Sequence, residues 1–120
     1  MSLILTVLIA LIALEHLGFL TLEAFLWQTP VGLKTFALTP EEAKLMAPLA
    51  MNQGLYNGFL AAGLIWSLLA PAALALPLKL FFLACVLIAG VFGGLTVKRS
   101  ILVLQALPAL IALALLALVH

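Results

Sequence analysis

The chain has 120 residues, of which 68% are hydrophobic and 8% are charged, and its net charge is +1. Soluble globular domains carry about 25% charged residues, and disordered chains combine low hydrophobicity with high net charge, so this composition excludes both. Five basic residues are too few to follow a phosphate backbone, and the single cysteine, Cys85, excludes an internal disulfide and a cysteine-based zinc site. We therefore predict a protein whose partner is the lipid bilayer and not nucleic acid.

Four apolar segments follow one another along the chain, each close to the length of about 20 residues that a membrane-spanning helix needs. The first lacks a basic start and a small-residue cleavage site, which predicts a retained span rather than a cleaved signal peptide. We predict an all-α membrane protein with one domain over residues 1–120. This domain is a four-helix transmembrane bundle, antiparallel up and down, with spans at about 3–27, 47–69, 78–97 and 101–119.

Proline and threonine mark the predicted connections. The polar segment 28–39 contains a threonine–proline pair and a glycine, which predict a break and a turn in a loop. A second pair, Thr39 with Pro40, is followed by two acidic residues and predicts the start of a helix that runs to Leu69. Residues 71–77 are bounded by prolines and predict a short apolar turn.

The basic residues predict the orientation in the membrane. Four of the five lie in or beside the connections that follow the first and third spans: Lys34, Lys44, Lys98 and Arg99. Cytoplasmic loops carry an excess of Lys and Arg, so we expect both termini to be extracytoplasmic, in a bacterial inner membrane. Trp27, at the cytoplasmic end of the first span, is expected in an interfacial aromatic belt.

Three ionisable residues, Glu15, His16 and Glu23, lie inside the first span. Such a group costs about 2.5–3.5 kcal/mol at the bilayer centre, so three in one span indicate function. His16 and Glu23 are seven residues apart and share one helix face, and Glu15 lies within about 100° of them. We expect this face to point into the bundle, with Glu15 and His16 as candidate catalytic residues for proton transfer.

The second span contributes a compact polar patch, and the fourth contributes one amide. Counted from the predicted cytoplasmic ends at about 1.5 Å per residue, Glu23, the first amides of the patch and the amide of the fourth span lie at about one depth. We expect a polar cavity that opens to the cytoplasm. Its predicted ligand-binding residues are Glu23, Asn52, Gln53, Tyr56, Asn57 and Gln105.

Each of these residues also has a structural interpretation. Amides in spans often bond neighbouring helices, at about 0.6 kcal/mol each, and a protonated glutamic acid can serve as a buried donor. His16 and Glu23 are about 10 Å apart along one helix, so we expect no metal site. Two pairs of glycines spaced by four residues fit close helix packing inside the bundle: 54 with 58, and 90 with 94.

Three segments carry a likeness to known proteins. They are Glu23-Ala-Phe-Leu-Trp27-Gln-Thr-Pro30, Asn52-Gln53-Gly54-Leu-Tyr56-Asn57-Gly58-Phe59-Leu60-Ala61 and Gln105-Ala-Leu-Pro108. Together they resemble a family of small bacterial and fungal integral membrane proteins of unknown function. The resemblance implies four spans and a loose similarity to DoxX-like small membrane subunits, which are associated with quinone-linked redox systems. It implies no reaction.

We interpret the chain as a protein that binds a small lipophilic or amphipathic molecule in an intramembrane polar cavity. One alternative is a membrane-embedded enzyme in which Glu15 and His16 transfer protons on a lipid-soluble substrate, by analogy with sterol-isomerase-like bundles. A second is a small subunit of a larger DoxX-like, quinone-linked complex. A third is a proton-coupled transporter, which would have to oligomerise. The ligand and any cofactor stay open.

Overall fold

A computed structural model describes residues 2–119, and every regular element among them is helical. The helices are α1 (Leu3–Leu20), α2 (Pro30–Phe36), α3 (Pro40–Leu69), α4 (Ala72–Thr96) and α5 (Leu107–Val119). Two π-helical turns of five residues complete the list: Thr21–Phe25 continues α1, and Leu102–Ala106 leads into α5. The predicted all-α class is confirmed.

Three helical segments are long and apolar enough to cross a membrane, judged by length and composition alone. They are Leu3–Phe25, Ala72–Thr96 and Leu102–Val119. Helix α3 has sufficient length, at 30 residues, but its amide and charged side chains lower its hydropathy and it is not one of the three. The apolar helices support membrane association, and the fourth span stays a prediction.

The chain divides into two compact units. We call Met1–Ala13 with Ala62–His120 the terminal unit and Leu14–Ala61 the central unit. In the terminal unit, α4 packs closely on the turn that precedes α5. A Cβ atom at Gly90 would lie 2.5 Å from the backbone nitrogen of Ala106, so only a residue without a side chain permits this approach.

The C-terminal end of α3 belongs to the terminal unit, where a lysine side chain forms a hydrogen bond with its last turn. Lys79 is 4% exposed, and its ammonium group donates a hydrogen bond to the carbonyl of Ser67 at 3.2 Å. The last carbonyls of a helix lack partners within the helix and carry partial negative charge. The ammonium group therefore satisfies a backbone acceptor at the helix end.

In the central unit, the segment between α1 and α3 folds over Trp27. The indole Nε1 donates to the carbonyl of Ala43 at 3.0 Å, and the ring lies 4.8 Å from that of Phe36 between centroids. Trp27 is 9% exposed and forms a small core with Ala43 and Ala50. It is a buried anchor of this segment, and its place in an interfacial aromatic belt stays a prediction.

Two predicted connections are wrong. Within the predicted loop, the Thr29 hydroxyl accepts from the backbone N–H of Gly32 at 3.4 Å, and Pro30 begins α2. This threonine–proline pair is thus a capped helix start and not a break. The predicted turn at 71–77 is helical, because the alanines and leucines between its prolines are strong helix formers and α4 begins at Ala72.

The predicted start of α3 at Thr39 and Pro40 is confirmed. The Thr39 hydroxyl accepts from the N–H of Glu42 at 3.1 Å, and the Thr39 N–H donates to Glu42 Oε1 at 2.9 Å. The two residues form a capping box, in which each side chain satisfies a backbone donor of the other. The hydrogen bonds from Thr39 lower the pKa of the exposed Glu42 carboxyl, because they favour its charged form.

Candidate functional site

The central unit brings Glu23 and Asn57 into contact. The Asn57 side-chain amide donates to Glu23 Oε1 and also, at 3.3 Å, to the backbone carbonyl of Gln53. Asn57 is 6% exposed, and Glu23 is half-buried. Two of the predicted site residues, from helices distant in sequence, therefore form one polar contact.

Two glycines of α3 make this contact possible. A Cβ atom at Gly54 would lie 3.1 Å from the backbone nitrogen of Ala24 and 3.2 Å from the Cβ of Glu23. A Cβ atom at Gly58 would lie 3.3 Å from the side chain of Leu20. Asn57 falls between the two glycines on the same face of α3. The close approach of the backbones therefore carries its short amide side chain to Glu23.

Glu23 itself lies in a π-helical turn. The backbone N–H of Leu26 donates to the carbonyl of Thr21, five residues earlier, at 3.0 Å. Turns of this kind are rare and occur frequently at functional sites. Gln105 lies in the second π turn, where the N–H of Leu107 donates to the carbonyl of Leu102.

The sequence reasoning did not predict either π turn. For the second one a signal was available, because Pro108 has no backbone N–H and crowds the carbonyl four residues before it, which disturbs the regular helical ladder. The first turn has no comparable proline within it or directly after it. Both turns nevertheless include a polar residue that the sequence reasoning had selected.

The same packing arrangement occurs in each unit. In each unit, the π turn contains a polar residue that is followed directly by an alanine, and this alanine packs against a glycine of the neighbouring helix. A leucine four residues before the alanine packs against a second glycine of that helix. In the central unit the set is Glu23, Ala24, Gly54, Leu20 and Gly58, and in the terminal unit it is Gln105, Ala106, Gly90, Leu102 and Gly94. Gly93 stands where the central unit has Asn57 and supplies no side-chain donor, so the amide–carboxyl pair belongs to the central unit.

Glu15 and His16 form a second group on α1, about two helical turns before Glu23. His16 is fully buried, its Nδ1 lies 4.0 Å from Glu15 Oε1, and its ring meets Phe19 edge to face at 5.4 Å. A separation of 4.0 Å is too long for a hydrogen bond, though a protonated imidazole would attract the carboxylate across it. Glu15 Oε1 is buried and receives no hydrogen bond within the described residues.

The predicted amide patch on α3 divides into exposed residues and one buried residue. Asn52, Gln53 and Tyr56 are exposed, whereas Asn57 is buried against Glu23. Gln105 is half-buried in the terminal unit, and a cavity shared by all the predicted ligand-binding residues stays a prediction. Two shallow surface depressions, lined by residues 41–48 and 94–102, include none of them. Among residues 2–119, no three metal-ligating His, Cys, Asp or Glu side chains cluster together.

Comparison with known proteins gives one family. The family described as "Protein of unknown function (DUF1304)" matches residues 10–117, a range that includes both π turns and both glycine pairs. The "Uncharacterized protein YpaA" of Lactococcus lactis subsp. lactis (strain IL1403) is 30% identical over 115 residues, which cover 94% of this chain and 96% of that protein. No solved structure matches the chain. The expected membership in a family of unknown function is confirmed: the chain belongs to the DUF1304 family.

Proposed function

We propose that the protein binds the polar group of a small lipophilic or amphipathic molecule at Glu23 and Asn57, within a membrane. The contact between these two residues carries the proposal. A carboxylate offers about four acceptor positions, of which one amide donor takes one. Because Glu23 is only half-buried, its carboxyl group stays accessible to a hydroxyl, amine or amide of a bound molecule.

The proposal includes four spans. Helix α3 has 30 residues and is therefore about 45 Å long, which exceeds the hydrocarbon thickness of about 30 Å. Its most buried amide, Asn57, is hydrogen-bonded, so it does not carry the full cost of an unpaired polar group in lipid. The basic connections support extracytoplasmic termini in a bacterial inner membrane.

Native mass spectrometry of the gently purified protein tests the binding function. The wild type should retain a bound mass that Glu23→Ala and Asn57→Leu lose. Asn52→Leu is the comparison variant, because it changes an exposed amide of the same helix: retention of the bound mass limits the site to Glu23 and Asn57, and loss extends the site to the predicted amide patch. Equal retention by all four proteins, or no bound mass in any of them, would contradict the proposal.

A second candidate function is proton transfer on a lipid-soluble substrate by Glu15 and His16. The observation in its favour is the buried Oε1 of Glu15, which lacks a donor within the described residues and lies 4.0 Å from His16 Nδ1. Glu15→Gln and His16→Gln keep a polar side chain but remove the ionisable group. Both substitutions should abolish activity or ligand retention in a protein that still folds. If both variants retain the ligand at the wild-type level, the proton-transfer role is excluded and only the binding function is kept.

A further inference from the structure

The connection that follows α4 carries two cations side by side. Lys98 and Arg99 line a surface depression of about 310 Å³ together with residues 94–97 and 102. This volume lies at the lower end of the range for small-molecule sites, and both basic side chains are exposed. We call it the basic depression, because it presents two adjacent positive charges to a molecule beside it.

The terminal unit supplies no anion for these two cations. All four acidic residues of the chain belong to the central unit: Glu15, Glu23, Glu41 and Glu42. Among residues 2–119, the side chains of Lys98 and Arg99 form no ion pair and no hydrogen bond. The positive charge of the basic depression is therefore not balanced within the described part of the protein.

The two basic side chains do not cap α4 either. The backbone N–H groups of Val97 and Lys98 both donate to the carbonyl of Gly93, at 2.8 and 3.2 Å. Backbone donors thus close the last turn of α4, a task that basic side chains perform at the end of other helices. The ammonium group of Lys98 and the guanidinium group of Arg99 stay available to a ligand.

The basic depression lies where a phospholipid headgroup would. Both Ala72–Thr96 and Leu102–Val119 are long and apolar enough to cross a membrane, and only residues 97–101 join them. So short a connection has to turn back within the headgroup region that borders the hydrocarbon core. Leu95, which also lines the depression, is 76% exposed and offers apolar surface to an acyl chain.

We propose that the basic depression binds the phosphate group of an anionic phospholipid. The guanidinium group of Arg99 presents paired donors that match two phosphate oxygens, and Lys98 adds a point charge. Basic pockets between spans bind anionic headgroups in this way. The proposal rests on the two spans that flank the connection, and not on α3 being a span or on a ligand at Glu23, so it can fail separately from the proposed function.

Native mass spectrometry of the full chain, titrated with lipids that have the same acyl chains, tests the site. We expect phosphatidylglycerol to bind at least about tenfold more tightly than phosphatidylcholine, which has a phosphate but no net charge. Lys98→Gln and Arg99→Gln should each weaken phosphatidylglycerol binding about fivefold, the contribution of one basic residue near an anionic surface. Arg99→Lys should weaken it less, because the positive charge stays.

Lys44→Gln is the matched control, because it changes the net charge equally. Lys44 is also exposed and lines the other surface depression, but it shares that depression with Glu41. Lys44→Gln and Glu23→Ala should both bind phosphatidylglycerol as the wild type does. Equal weakening by Lys44→Gln and Lys98→Gln would indicate general charge attraction and overturn the proposal.

Three other results would also overturn it. Equal affinity of the wild type for the two lipids would exclude recognition of an anionic headgroup. Displacement of phosphatidylglycerol by millimolar inorganic phosphate would identify a soluble phosphate compound as the ligand. Loss of phosphatidylglycerol in Glu23→Ala, with retention in Lys98→Gln and Arg99→Gln, would place the lipid at Glu23.

Discussion

Replacing Asn57 by leucine tests the site most directly. The change keeps the number and branching of the side-chain heavy atoms but removes the donor that faces Glu23. Because Asn57 is only 6% exposed, solvent cannot replace the lost amide. Leaving a buried polar group without its partner costs about 1–3 kcal/mol. The amide's other contact, to the Gln53 carbonyl at 3.3 Å, lies within one helical turn and contributes less.

A double-mutant cycle separates the pair from its surroundings. Asn57→Leu and Glu23→Met should each lower the free energy of unfolding by about 1–3 kcal/mol. The double variant should lose less than the sum, because replacing both partners by apolar groups leaves neither unpaired. A coupling of about 1.5–3 kcal/mol would indicate a charged Glu23 carboxylate, and about 0.5–1.5 kcal/mol would indicate a neutral acid.

Reversible unfolding in mixed detergent micelles provides the measurement. Asn52→Leu is the control, since it makes the same change at an exposed position without a partner, and it should stay within about 0.5 kcal/mol of the wild type. Additive losses in the cycle would refute the interaction between Glu23 and Asn57. A similar loss in Asn52→Leu would show that leucine in α3, and not the missing amide, causes the effect.

Three further predictions concern the scaffold. Gly90→Ala should lower thermal stability by about 1–2 kcal/mol, because the new Cβ would lie 2.5 Å from the backbone nitrogen of Ala106. Gly18→Ala has open space around it and should raise thermal stability by up to about 1 kcal/mol. The opposite order of stabilities in melting experiments would contradict the packing. The pKa of Glu42 is lowered in the fold, so its carboxylate contributes to stability above its unfolded pKa, and this contribution is lost as the pH falls through the folded pKa. Circular dichroism should therefore show a loss of helix in acid that Glu42→Gln lacks. Trp27→Phe should cost about 1–3 kcal/mol in chemical unfolding, since it removes the indole hydrogen bond to α3 and leaves a cavity where the larger ring packs; an unchanged stability would show that Trp27 does not hold the segment.

Helix α3 shows what local sequence signals can predict. Its start follows from the threonine cap, the proline and the acidic first turn, which act within four residues of one another. The glycine pairs were correctly interpreted as close packing, because small residues spaced by four lie on one helix face. Short-range rules of this kind need no knowledge of the neighbouring helix.

Helix α2 shows where the same rules were applied incompletely. Its Thr29-Pro30 start repeats the pattern at Thr39-Pro40, but Gly32 suggested a turn. In the structure, Gly32 is helical, and it is glycine because a side chain there would overlap the backbone carbonyls of Leu26 and Trp27. That requirement comes from tertiary packing, which the sequence does not display.

The division of the amide patch depended on a partner that the sequence could not identify. Asn57 lies between Gly54 and Gly58 on one face, whereas Asn52 and Tyr56 lie on another. Helical angles separate Asn52 and Tyr56 from Asn57, but they place Gln53 only about 40° from Asn57, so the exposure of Gln53 was not predictable from them. Which face meets Glu23 was not predictable either, because that depends on the local geometry of the π turn and on the close approach of α3.

The π turn at Thr21–Phe25 accommodates one extra residue without changing the helical phase on its two sides. It holds about one residue more per turn than an α-helix, so its hydrogen-bonded step of five residues covers about the same rotation as a step of four residues at about 100° each. Deleting one residue there would let the helix continue regularly, with Glu15 and His16 at nearly the same angle to Trp27. A deletion in α1 that the π turn does not absorb would instead rotate Glu15 and His16 by about 100° relative to Trp27. The effect of losing a single residue therefore depends on whether this turn returns to α-helical geometry, although composition and hydropathy hardly change in either case.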